Sequence, residues 1–158
     1  MKTKKVSESI IHMREMVMPH HTNPQNTIFG GTVMSWVDIA AAMCAAKHCN
    51  KPVVTVHVDE LHFISPIKIG EHVLIKASIN YVGRSSMVIG VKVQSEDPYT
   101  NEIKTTTRAF LTFVALDSAG KPTKVPGIDI ETDDERRRYE NAKKRVAATK
   151  ALRARMER

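Results

Sequence analysis

The chain has 158 residues, enough for one hydrophobic core, with 42% hydrophobic and 26% charged residues. That balance excludes an intrinsically disordered chain. The formal net charge is +7, of which +5 falls from Thr132 onward (ten Lys/Arg against five Asp/Glu), so the remaining body carries only +2. A nearly neutral body without a nucleic-acid motif argues against an RNA- or DNA-binding domain. The basic tail suits a solvated helix, an acidic surface or a phosphorylated small molecule.

The N-terminus MKTKKVSESI is basic but no apolar stretch follows it, so no export signal is expected. With two cysteines, Cys44 and Cys49, this points to a reducing cytoplasm and free thiols. Residues 9–18 form the first expected strand, with Ile11, Met13 and Val17 on one face, and Pro19 stops it. Residues 20–27 (HHTNPQNT) are turn-forming and predict a loop.

After Gly30 and Gly31 comes TVMSWVDIAAAMCAAKH, a run of strong helix formers. It spans about 27 Å as a helix. Only Ser35 and Asp38 interrupt an apolar surface between Val33 and Ala46. Too short for a membrane span, a helix apolar all round belongs inside protein. Four β-rich runs follow at 53–63, 71–82, 87–95 and 102–116, separated by short turns. In the first, Val54, Val56 and Val58 are expected on one face and Thr55, His57 and Asp59 on the other. Short connections make the last strands antiparallel neighbours. The resulting class is α+β: an antiparallel sheet wrapped around one long central helix, the hotdog architecture. Residues 1–130 form that domain and residues 131–158 a basic helical tail. Long edge strands need partners, so a homo-oligomer is expected, with the sheets continuing side by side.

Asp38 is the strongest functional candidate. A carboxylate buried on an apolar helix is costly unless paired, so it either pairs with a core polar group or serves as general base or nucleophile. The orphan N–H groups at the helix start, where Gly30 and Gly31 allow close approach, form either a plain turn or an oxyanion hole. Asn23 is either a turn asparagine or an amide that donates to a carbonyl or orients water. His20 and His21 are adjacent, a poor spacing for a shared metal, and no metal or redox cofactor is expected.

The run TNPQNTIFGGTVMSWVDIAAAMCAAKHC resembles the signature of hotdog acyl-CoA hydrolases, the group of broad-range bacterial and cytosolic brain-type acyl-CoA thioesterases. VTVHVDELHFISPIKIGEHV, VGRSSMVIGVKV and DDERRRYENAKKR are similar to its following segments. The resemblance covers roughly Met13 to Arg145. It implies hydrolysis of acyl-CoA thioesters to free acid and coenzyme A, in dimers or trimers of dimers with sites between subunits. Asp38 then matches the catalytic carboxylate and Asn23 the catalytic amide, contributed from opposite subunits. Gly31 matches the helix-start donor, with Gly30 beside it. Arg84, Ser85 and Ser86 match a segment lining coenzyme A, and Phe29 stands where some relatives carry histidine. Hotdog folds also host acyl-CoA binders without activity and hydroxyacyl-thioester dehydratases; the latter chemistry favours a His base, whereas this helix offers Asp.

Overall fold

Alternation along the β-rich runs becomes one curved sheet in the computed structural model, which describes residues 2–157. Met1 and Arg158, the outermost residues of the two expected segments, lie outside the described residues. The elements in chain order are β1 (Lys4–Lys5), β2 (Ile11–Met16), α1 (Gly30–Cys49), β3 (Val53–Phe63), β4 (His72–Val82), β5 (Ser86–Glu96), β6 (Ile103–Ala115), β7 (Ile128–Asp129) and α2 (Asp133–Met156). Five strands pair antiparallel in the order β2-β4-β5-β6-β3, so β2 and β3 are edges. The expected strand at 9–18 is thus trimmed to six residues. β1 and β7, a parallel pair of two residues each, carry no alternation signal that could be read.

The inner face of the sheet is apolar at every second residue, as strand geometry demands. Val73, Ile75, Ala77 and Ile79 from β4, Met87, Ile89, Val91 and Val93 from β5, and Ala109, Leu111, Phe113 and Ala115 from β6 are all buried. Against them α1 buries Val33, Val37, Ala40, Ala41, Cys44 and Ala45. Asn50 ends α1 in a left-handed conformation (φ 56°), its N–H donating to the Ala46 carbonyl, a common helix stop.

Two sequence expectations need correction. The central helix is not enclosed on all sides: Met34, Ile39 and Met43 are 41–49% exposed, because five strands cover only one side of it. The faces of β3 are also mixed. Thr55 pairs with Phe113 and His57 with Thr112, so a bulge takes up Val56. An extra residue inverts the alternation beyond it. Val53, Thr55 and Val58 therefore share the inner face with Ala115, Phe113 and Leu111, whereas Val54, His57 and Asp59 turn outward.

α2 crosses the outer face. Thr132 and Glu135 form a reciprocal cap, Thr132 Oγ1 accepting from the Glu135 N–H at 3.1 Å. Three acidic residues occupy its first turn and Arg153 and Arg155 its last, matching the helix dipole. Only Ala142 is fully buried. Tyr139 stacks near Tyr81 with ring centres 5.0 Å apart, and the Arg145 guanidinium lies 3.6 Å from the Phe110 ring centre. Arg145 also pairs with Asp59 and Glu60 of β3, each at 3.5 Å.

Candidate active site

Polar groups lie where α1 begins and along its uncovered stripe. Phe29 precedes α1 in extended backbone, and no side chain caps the helix. The N–H groups of Thr32 and Val33 donate to the Phe29 carbonyl. Those of Gly30 and Gly31 have no protein acceptor among the described residues. Two orphan donors at a helix N-terminus attract an oxygen that carries negative charge. A Cβ on Gly31 would come within 2.5 Å of the exposed Phe29 ring, which would have to turn aside. A Cβ on Gly30 would meet the Phe63 ring at 3.4 Å, an ordinary contact.

Asp38 lies seven residues further along α1. The structure corrects its expected burial: within one chain Asp38 is exposed, on the same uncovered stripe as Met34, Ser35 and Ile39. It has one partner, Thr55 of β3, whose Oγ1 donates to Asp38 Oδ1 at 2.7 Å. Sequence reasoning missed Thr55 because simple alternation places it on the outer face. One signal was available, since Thr55 is the only hydroxyl-bearing residue in β3.

Asn23 organises its own loop. Its Oδ1 accepts from the N–H groups of Gln25 (3.0 Å) and Thr27 (3.2 Å), and its Nδ2 donates to Thr27 Oγ1 at 3.0 Å. One amide hydrogen stays available. Among the described residues, no hydrogen bond joins Asn23 to Asp38 within the chain. His21 accepts from the Met18 N–H and meets Trp36 edge-on, ring centres 5.0 Å apart, a structural use.

Arg84 lies in the β4–β5 turn and Ser86 opens β5, its carbonyl accepting from the Gly83 N–H at 2.9 Å. Both line a groove of about 280 Å³ whose opposite wall includes Lys150 and Arg153 of α2. Ser85 is used differently: its carbonyl accepts from the Ala115 N–H. Three groups have displaced pKa values, and all lie on the covered side of α1, away from Asp38. Burial pushes the Cys44 thiol up to about 11 and also raises Cys49, while burial lowers His48. Both cysteines are free and buried, which suits packing rather than nucleophilic attack.

Residues 25–102 match the profile of the Thioesterase superfamily. An uncharacterized acyl-CoA thioester hydrolase of Bacillus subtilis is 41% identical over 133 residues, which are 84% of this chain and 77% of that relative. The crystal structure of an apo-hexameric acyl-CoA thioesterase superposes with a TM-score of 0.94 at 37% identity, covering 98% of this chain and 99% of the other. The acyl-CoA hydrolase of Staphylococcus aureus, in complex with butyryl coenzyme A, coenzyme A and coenzyme A disulfide, gives 0.91 at 39% identity and coverages of 98% and 94%. Alanine variants of that hydrolase at one aspartate, one asparagine and one threonine give 0.91–0.93.

Proposed function

From the premise that this chain belongs to the thioesterase superfamily, we infer that it is an acyl-CoA thioester hydrolase, releasing free acid and coenzyme A. The thioester carbonyl oxygen is held by the orphan N–H groups of Gly30 and Gly31, which stabilise the negative charge that develops on it. Asn23 donates its free amide hydrogen to the same oxygen or to the attacking water. Asp38, oriented by Thr55, either takes a proton from that water or attacks the carbonyl carbon itself, forming a mixed anhydride that water then hydrolyses to the free acid and the regenerated carboxylate. The thiolate of coenzyme A is the leaving group in both routes. Every role in this reaction falls to protein groups and water.

One observation carries the assignment of these groups to two subunits. Seven residues separate Gly31 from Asp38, a rise of about 10.5 Å along the helix axis. Reacting atoms must come within about 3–3.5 Å. A carbonyl held at Gly31 is therefore out of reach of Asp38 on the same helix, which supports a carboxylate from a second copy. The surface for that copy is present. Val54 (41%), Val56 (48%) and Val58 (40%) are exposed on edge strand β3, and Met34, Ile39 and Met43 are exposed on α1. An exposed apolar stripe on a pairing-competent edge fits dimerisation. The same contact covers Asp38 and excludes water other than the reacting one. Trimers of such dimers are the proposed larger assembly, supported by the hexameric thioesterase that this fold resembles.

The substrate's nucleotide lies toward the β4–β5 turn, where Arg84 is free to pair with phosphate. The residue types replaced in the alanine variants of the S. aureus hydrolase, aspartate, asparagine and threonine, are those of Asp38, Asn23 and Thr55, which supports this site. Thiol release from acyl-CoAs of increasing chain length tests the activity, and Asp38→Asn tests the site. The variant should fold normally and lose about 10²–10⁴-fold in turnover. Near-normal release would make Asp38 structural.

A further inference from the structure

The sheet face turned away from α1 carries a row of basic side chains. Residues paired across neighbouring strands point to the same side of a sheet. His12 pairs with Lys76, Lys76 with Lys92, Lys92 with Arg108, and Arg108 with His62. One register line thus crosses all five strands and is basic at each. At about 4.8 Å per strand step it runs roughly 19 Å. All five side chains are exposed.

Like charges placed directly opposite each other destabilise a sheet. Carboxylates nearby would offset that, yet among the described residues Lys76, Lys92 and Arg108 have no ion pair. Glu96, two rows away, is engaged by Arg14 at 3.0 Å and His72 at 4.0 Å. α2 adds a second wall bearing Arg137 and Arg138, and the groove between wall and sheet has a volume of about 840 Å³ with no Asp or Glu in its lining. Ser78 lines the same groove, 9% exposed, with its hydroxyl buried and without a hydrogen-bond partner.

We propose that this groove is a second binding site, separate from the thioester site on the α1 side of the sheet, and that its ligand is an oligophosphate. A volume of 840 Å³ accommodates a small molecule rather than a folded partner. α2 obstructs the approach of a bilayer or a duplex. Lys76, Lys92 and Arg108 in line favour several linked charges over one, and guanidinium and ammonium groups are the side chains that hold phosphate oxygens. The ligand also removes the repulsion along the row, so binding stabilises the fold.

Calorimetry and thermal denaturation of the full chain with inorganic tripolyphosphate test this. Wild-type protein should bind in the micromolar range, bind inorganic monophosphate far more weakly, and lose affinity as salt screens the row. Lys76→Gln/Lys92→Gln should weaken tripolyphosphate at least about tenfold, two charge-assisted contacts being removed. Without ligand the same variant should melt higher than wild type, because like charges no longer face each other. If that variant fails to fold, Arg108→Gln alone must still weaken binding by at least about threefold. A nucleoside triphosphate that binds about tenfold tighter than tripolyphosphate identifies a nucleotide as the source, and equal binding identifies the bare phosphate chain. Absence of any heat or melting shift with tripolyphosphate overturns the proposal, as does equal binding by wild type and variant. Full displacement by coenzyme A also overturns it, because the groove would then belong to the substrate's own site.

Discussion

Replacing Thr55 by Val removes one hydroxyl and keeps the branched shape. The bond it deletes, Thr55 Oγ1 to Asp38 Oδ1 at 2.7 Å, has the length of a charge-assisted O–H···O⁻ contact. Hydrogen bonds to charged groups contribute about 1.5–3 kcal/mol. Taking the lower figure, about 1.5 kcal/mol corresponds to roughly tenfold in rate. In a thiol-release assay kcat/KM should fall about tenfold with KM nearly unchanged, since the hydroxyl orients the carboxylate and does not hold substrate. Thr55→Ser should restore most of the rate. Combined with Asp38→Asn, Thr55→Val should cost little more than Asp38→Asn alone, because the hydroxyl acts through the carboxylate. An unchanged rate in Thr55→Val, or losses that multiply in the double variant, would refute this coupling.

Two further outcomes follow from the geometry. Arg84→Ala should raise KM for an acyl-CoA by about fivefold to tenfold, one charge-assisted phosphate contact, and leave a pantetheine thioester unaffected; equal effects on both would assign Arg84 to the fold. Ending the chain after Ile130 uncovers Phe110 and Tyr81 and removes the packing of Ala142, so circular dichroism should show a folded sheet with a Tm lower by about 5–10 °C, and an unchanged Tm would show that α2 does not stabilise the body.

The long elements were legible because their alternation is strict. β3 matches its expected span, and the other three long strands differ by a residue or so at their ends. The bulge in β3 was not legible: Val54-Thr55-Val56-His57-Val58-Asp59 alternates without a break, and only pairing with β6 shows that Val56 is extra. That single residue moves Thr55 beside Asp38. The helix posed a different difficulty. Apolar residues on all its faces demand cover, but composition cannot distinguish cover by its own sheet from cover by a second copy. Hence Asp38 is exposed in the single chain although the pattern suggested burial. The proposed division of Asn23 and Asp38 between subunits rests on the family resemblance, and the rise along α1 supports only the separation of Gly31 from Asp38. The row from His12 to His62 was invisible for lack of register, as its five members are scattered through the sequence. Docking of α2 through Arg145 escaped notice because a charged residue does not register as an apolar anchor.

The most direct test of the shared site is complementation. Asn23→Ala and Asp38→Asn should each disable every site in their own homodimers. Unfolded and refolded together in equal amounts, the two variants should give about half mixed dimers under two-fold symmetry. In a mixed dimer one site receives both lesions and the other receives neither, so thiol release should recover to roughly one quarter of the wild-type rate. Verified mixed dimers whose activity stays at the level of the separate variants would contradict the account, since a site built within one chain leaves a lesion in every copy.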